Sequence, residues 1–376
     1  MRFSAFVCYT EKDMVVKRCE LRDFRNYGQT HVEFESGINV LCGDNAQGKT
    51  NLLEAVYFCS VGRSPRTPRD KELIRKGCDR GRIKLTAEDR GGENTVEILL
   101  DRSENKRVAI NGMPISRMGE LMGVVAAVYF SPDEMRIIKD APGDRRRFMD
   151  IALCRMSKAY FYLLGRYNKI LAQRNRLLKS GRATADVLDV WDAQLVAEGA
   201  RVAKTRRSYV QRLSEHAREA HEYLTDGKEK LGLLYEGLEG ETADEIAENF
   251  AAELRRNRAR DLELRFTSCG VQKDDIAVKV GDTDVRAYGS QGQQRTAALA
   301  FKLAEMEMHR AQSGEYPVLL LDDVLSELDP YRQRKLIERG KKYQTVITCT
   351  HLPAEVSAAL GEFTLFAVKA GSVARA

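Results

Sequence analysis

No apolar run in this chain reaches the length of a bilayer span; the longest, residues 121–130, is about half of one. The N-terminal residues lack the apolar core and small-residue cleavage site of a signal peptide. The expectation is a cytoplasmic protein with no membrane partner. Of eight cysteines, no two form a Cys-x-x-Cys pair and none has a nearby His to complete a zinc site. Cys42 and Cys349 sit in apolar runs, where a free thiol behaves as a small hydrophobe, so a reducing compartment fits. Internal repeats and low-complexity tracts are missing too. The net charge of +6, from 61 basic and 55 acidic residues, is too small to argue for nucleic acid by itself. With 43% hydrophobic and 31% charged residues, a sizeable core is expected and disorder is not.

What is present is a mixed pattern. Residues 1–14 precede the first strand signal and read as a short extension. Strands are predicted at 16–21, 31–34 and 38–41, then a helix at 49–59 and an arginine-rich loop at 62–70. A meander follows: Ile83, Leu85 and Ala87 alternate with polar residues, 95–100 returns, and 107–110 runs into the hairpin signal Asn111-Gly112. After Pro132 the composition shifts towards Leu, Ala, Arg and Lys. Leu163, Tyr167, Ile170, Leu171 and Leu178, then Val187, Val190, Trp191 and Leu195, fall at helical spacing on either side of Lys179-Ser180-Gly181. A helical hairpin or bundle is predicted there, with a further helix at 243–256. Strand signals resume at 276–280 and 283–286, a helix is expected at 291–309, and short apolar strands at 317–321 and 345–349. The fold class is α/β: a head (1–131 and 261–376) with an antiparallel β-subdomain, interrupted by a helical arm (132–260).

Gly43-Asp44-Asn45-Ala46-Gln47-Gly48-Lys49-Thr50 fits G-x-x-x-x-G-K-[ST], led in by an apolar strand and out by a helix-forming run. Loop amides and the helix N-terminus together make an anion nest. Lys49 is expected on the β- and γ-phosphates of ATP, the Thr50 hydroxyl on Mg²⁺, and Asn51 beside them. Leu319-Leu320-Leu321-Asp322-Asp323 supplies the second half of such a site: a buried strand delivering Asp322 to the metal and Asp323 to the attacking water.

Ser290-Gln291-Gly292-Gln293-Gln294-Arg295 resembles the signature of ABC-type ATPases. In that class this helix start docks on the γ-phosphate held by a second subunit, which implies nucleotide contacts for Ser290, Gly292 and Gln293. Ser326-Glu327-Leu328-Asp329 resembles the D-loop of the class. His351 stands where the class keeps a γ-phosphate-sensing histidine, although a His at a strand end is commonly just surface. Ser290 lies further from Thr50 than in transporter ATPases and much nearer than in SMC proteins. Residues 16–27, 43–54, 290–296 and 319–329 resemble the RecF family, and the likeness spans 15–351.

The resemblance implies an ABC/SMC-type head that dimerises on ATP, binds DNA at single-strand/double-strand junctions without reading sequence, and works with RecR and RecO. It implies roles in gap repair, replication-fork maintenance and the SOS response, with weak DNA-stimulated ATPase activity. Two stretches depart from the family. Ser64-Pro65-Arg66-Thr67 lacks a His usual between serine and arginine, and residues 268–275 keep only the acidic pair of Gly-Pro-His-Arg-Asp-Asp. No Q-loop glutamine stands near Phe130. Arg63, Arg66, Arg69, Arg75 and Lys76, Arg145-Arg146-Arg147, and Arg255, Arg256, Arg258 and Arg260 are either phosphate contacts for DNA or solvated faces with acidic partners. Arg66 suits nucleotide equally. Three alternatives stay open: a transport- or SMC-type motor, an ATP-gated switch with negligible hydrolysis, and a small-molecule kinase, in which the Ser290 segment has no role.

Overall fold

The computed structural model describes residues 13–181 and 183–376. Cys8 and most of the short N-terminal extension lie outside them. The chain forms two compact units, one from residues up to Pro132 together with Met306–Ala376, the other from Asp133–Glu305.

The first unit contains two six-stranded sheets. One is antiparallel, in the order Tyr27–Glu33, Val15–Phe24, Arg80–Asp89, Gly92–Asp101, Arg107–Ile110, Met113–Pro114. Its alternation is that of a sheet with one dry face: Ile83, Leu85, Ala87, Val96, Ile98 and Leu100 are buried while their neighbours face outward. The hairpin closes at Asn111-Gly112 as its sequence signal requires. The other sheet runs Ser372–Arg375, Phe363–Lys369, Ile38–Cys42, Thr345–Cys349, Val318–Asp322, Ala127–Phe130. Only its first pair is antiparallel; the rest are parallel. Val318–Asp322 and Thr345–Cys349 are buried along their whole length, as inner strands of a sheet covered on both faces are. Helix Lys49–Val61 is buried from Leu52 onward for the same reason.

The second unit is built on the helices Pro142–Met156, Lys158–Ser180, Ala185–Thr225 and Ala243–Leu264. Ser157 caps the second by accepting from the Tyr160 amide, and Gly181 ends it in the left-handed conformation. The third, 41 residues long, spans ~60 Å at the standard helical rise. Thr242 and Glu245 form a capping box at the start of the fourth. That helix runs to Leu264, past Arg256, because Asp261 on its last turns is buried against Arg174.

This unit extends to Glu305, beyond residue 260 where the sequence alone ends the arm. Strand Asp275–Val280 pairs along its whole length with Leu231–Glu236, which ties the chain after the last arm helix back to the arm. Thr283–Asp284 adds a short third strand. Residues 285–288 turn helical instead of extending that strand, since the Asp284 carboxylate accepts from the Ala287 amide and starts a turn.

Buried arginines tie the arm's helices together. Arg174, fully buried, donates to Asp192 at 2.6 Å, Asp261 at 2.7 Å and Thr267 at 2.8 Å. Arg206 holds Asp150 and Asp274 at 2.9 and 2.7 Å. Replacing Arg174 with Leu strands the Asp261 carboxylate in the interior, while Asp192 keeps Arg258, and is expected to cost about 3–5 kcal/mol, read as a lower urea midpoint. The double change Arg174→Leu, Asp261→Asn should recover part of that loss.

Candidate functional site

The strand Ile38–Cys42 ends at Gly43, and the loop to helix Lys49–Val61 follows. Gly43 is required by close approach: a Cβ there meets the Val368 carbonyl oxygen at 2.2 Å. Gly48 takes φ +123, and a side chain on it would run into Asn26 and Tyr27. Ala46 adopts φ +64, a turn that bends the loop between them.

The loop's carbonyl oxygens are tied to the protein. Asn26 donates to the Gln47 carbonyl at 2.8 Å and Tyr27 to that of Gly48 at 2.9 Å. The Gly371 amide also reaches the Gln47 carbonyl, and the Ala370 amide the Gln47 side chain at 2.6 Å. Gln47 Nε2 lies 3.5 Å from the Asn45 carbonyl. Lys49 is nearly buried and folds back on its own loop, donating to the carbonyls of Gly43 and of Asp44, the latter at 2.8 Å.

Thr50 donates to Asp322 Oδ1 at 2.8 Å, so the end of the buried strand Val318–Asp322 meets the first turn of the P-loop helix. Tyr129, from the neighbouring strand Ala127–Phe130, donates to Asp322 Oδ2 at 2.7 Å. Burial, reinforced by the adjacent Asp322 charge, pushes the Tyr129 hydroxyl far above the usual phenol range, so it remains a donor. Asp323 follows with φ +54. His351 is exposed past the end of Thr345–Cys349, its Nδ1 3.5 Å from the Thr350 hydroxyl. In the D-loop segment, Ser326 donates to the Asp323 carbonyl at 2.7 Å, and Asp329 caps helix Pro330–Gly340.

Asn51 links the loop to the arginine-rich segment: its amide donates to Asn26 Oδ1 at 2.8 Å, and its oxygen accepts from Arg66 at 2.8 Å. Beneath them sits Glu54, fully buried, which accepts from Arg25 through two bonds of 2.9 and 2.7 Å and from Arg66 at 3.4 Å, and also holds Ser64. A cavity of about 920 Å³ opens here, lined by Arg25, Asn26, Asn51, Arg66, Arg69 and Lys106 among others. Sequence alone treats Glu54 only as a helix former; the signal it offers is a carboxylate inside an otherwise buried apolar helix.

Ser290, Gly292 and Gln293 belong to the second unit and form a site of their own. Ser290 and Gln293 make a reciprocal cap: the Gln293 amide donates to Ser290 Oγ at 3.2 Å, and Gln293 Oε1 accepts from the Ser290 amide at 3.0 Å. Glu229 accepts from Gln293 Nε2 at 2.8 Å. A Cβ on Gly292 would meet only Ser290 Oγ, at 3.9 Å.

Three of the arginines weighed as DNA contacts or solvated faces are committed inside the second unit, while Arg255, Arg256 and Arg260 are exposed. Arg145 is buried and grips Asp275 at 2.6 and 2.9 Å, and Arg146 donates to the Asp274 carbonyl at 2.6 Å. Arg258 binds Asp189 and Asp192. The acidic pair Asp274-Asp275 therefore serves as the arm's internal counter-charge.

Residues 15–371 match the family described as RecF/RecN/SMC N terminal domain. The DNA replication and repair protein RecF of Lachnospira eligens is 41% identical over 365 residues, covering 96% of this chain and 99% of that one. The chain belongs to the RecF family. The RecF of Agathobacter rectalis is 44% identical over 342 residues, 90% of this chain and 93% of its own. Among solved structures, the recombination mediator protein RecF with ATP, described within the RecFOR pathway, superposes with a TM-score of 0.91 at 32% identity, covering 98% and 99% of the two chains. The Smc head domain from Pyrococcus furiosus, with a TM-score of 0.57 at 17% identity over 96% of each chain, shares the fold. The architecture is thus the ABC/SMC-type head shared by RecF and SMC proteins. Among the described residues no helix is long and apolar enough to cross a membrane.

Glu54→Ala leaves Arg25 and Arg66 without their carboxylate. Both reach solvent in part, so the expected loss is about 2 kcal/mol, below the ~3–5 kcal/mol of a fully buried pair. Urea unfolding measures it, and Glu54→Gln should lose less because it keeps the side chain's volume and one acceptor oxygen.

Proposed function

We propose that this RecF-family protein binds Mg·ATP at the P-loop of its head and dimerises in that state around DNA. The observation that carries this reading is the meeting of Thr50 and Asp322 at 2.8 Å beside the Lys49 loop. One hydroxyl and one carboxylate oxygen fit Mg²⁺, which is commonly held by one or two carboxylates together with substrate phosphates. When bound, the ion neutralises charge developing on the β- and γ-phosphoryl oxygens. Lys49 rests on two loop carbonyls and is the cation that turns to the phosphates in their place. Asp323, next along the chain from the metal acid, orients the attacking water. His351, exposed past the end of the neighbouring strand, is the residue proposed to sense the γ-phosphate.

Gly292 supports the partner half of the reading. No neighbour in the described chain demands a glycine there, yet glycine weakens a helix start relative to most residues. A requirement from outside the chain accounts for it: the signature helix of one subunit approaching the γ-phosphate bound by the other, with Ser290 and Gln293 at the contact.

DNA binding is proposed from family membership, supported by the arginine-rich surface around Arg66 and Arg69. Contacts of that kind hold the backbone without reading bases, which suits a protein acting at single-strand/double-strand junctions. RecR and RecO are proposed as partners because the solved RecF structures are described within the RecFOR pathway. Cytoplasmic location follows from the same proposal.

Light scattering with and without ATP tests the dimer directly. Wild type is expected to double in mass on adding ATP, and Ser290→Arg to stay monomeric while still binding nucleotide. A wild type that binds ATP and remains monomeric overturns the clamp. Turnover, measured with and without DNA, tests the site: Lys49→Arg should keep nucleotide-dependent DNA binding and lose at least ~10-fold in rate, about 1.4 kcal/mol of barrier. Unchanged turnover in that variant removes Lys49 from the chemistry.

A further inference from the structure

We propose that Thr348 is a positioning residue that fixes both acids of the site through a single hydroxyl, a role that rests on the nucleotide-site reading above. The strands Thr345–Cys349 and Val318–Asp322 run parallel with Asp322 opposite Thr348. The Thr348 side chain is almost wholly buried there. Its Oγ1 lies 2.9 Å from Asp322 Oδ1 and 2.9 Å from the backbone nitrogen of Asp323. An amide only donates, so the hydroxyl accepts from Asp323, and its own proton goes to the Asp322 carboxylate.

The two bonds do different work. Asp323 sits at φ +54, a conformation that non-glycine residues hold only when their surroundings impose it. Thr348 accepts from its N–H while Ser326 donates to its carbonyl at 2.7 Å, so the peptide groups on both sides of Asp323 are clamped in that turn. Released to negative φ, the Asp323 carboxylate points along a different line. Among the described residues Asp322 receives three hydroxyls, from Thr50, Tyr129 and Thr348. Only Thr50 belongs to the P-loop helix. Were its hydroxyl to hold an ion instead, Tyr129 on Oδ2 and Thr348 on Oδ1 would keep the carboxylate's orientation. Thr348 thereby links the aim of the metal acid to the backbone of the water-orienting acid.

Thr348→Val removes the hydroxyl and keeps the shape; Thr348→Ser keeps the hydroxyl. Three measurements on the full chain read the consequence. Without nucleotide, amide hydrogen exchange at Asp323 should rise at least ~10-fold in the valine variant, whose amide has lost its acceptor. Affinity for ATP measured without metal should stay within about twofold, while the gain in affinity on adding Mg²⁺ and the turnover number should each fall roughly 10- to 100-fold, the usual scale for loss of an outer-shell hydrogen bond. Serine should restore all three. Wild-type exchange and turnover in Thr348→Val overturn the proposal, and so does a folded serine variant as impaired as valine. Should valine not fold, Thr348→Cys, with its weak S–H, is expected between serine and wild type on one side and loss on the other; wild-type behaviour there overturns the role. If wild type neither binds nor turns over ATP, the nucleotide reading fails, whereas the exchange measurement still decides whether the hydroxyl holds Asp323.

Discussion

Parallel pairing in register is the constraint on which the head's site depends. Thr348 stands opposite both Leu41 and Asp322, and Cys349 opposite Cys42. Each ladder bond therefore sets not only the sheet but the level at which three chains leave it. The P-loop departs after Cys42, the acid pair completes Val318–Asp322, and His351 follows Cys349, all from the carboxyl edge. A slip of one residue turns every side chain to the other face of a pleated strand. Such a slip would take Asp322 away from Thr50. Buried polar side chains on these strands oppose it, because Thr348 and Asp322 would lose the hydrogen bonds that satisfy them.

Within that frame the polar groups are arranged so that each buried charge meets donors or counter-charges. Asp322 receives three hydroxyls and Glu54 receives two guanidinium groups and Ser64. A buried carboxylate without such partners would take up a proton. With hydroxyl donors alone Asp322 remains free to bind a cation, since neutral donors orient the carboxylate without satisfying its charge. Glu54 is the opposite case. Its arginines compensate it fully, so it serves to hold Arg25 and Arg66 beside Asn51 and the cavity.

Much of this was legible in the sequence where partners are close along the chain. The spacing from Gly43 to Thr50 specifies loop and helix at once, and the apolar run before Asp322 identifies its strand without reference to anything distant. Ser290 and Gln293 are three residues apart and carry the cap as a local pattern. Asn26, Glu54, Tyr129 and Thr348 were not legible as site residues, because each acquires meaning only from a contact made by folding: Tyr129 meets an acid 193 positions away. The arm's closing boundary was missed for the same reason. Strand Asp275–Val280 looks like part of the head until its partner Leu231–Glu236 is known. The turn at 285–288 is a different kind of miss, since the capping Asp284 was present as a local signal beside a pattern that also suits a strand.

The arginines show how folding narrows an electrostatic argument. Counted in the sequence, Arg145, Arg146 and Arg258 look available to a polyanion. In the fold they hold Asp275, the Asp274 carbonyl, and Asp189 with Asp192. A guanidinium already paired with a carboxylate has little to gain from a phosphate, because binding DNA there means breaking the pair and leaving an acid beside the backbone. Arg174 and Arg206 are still less available, buried among two carboxylates each. These five side chains therefore do not count towards a DNA surface. Exposed groups such as Arg69 differ: its partner Glu72 lies 3.6 Å away in a solvent-exposed pair of small energetic weight. Such a pair exchanges its partner for a phosphate at little cost.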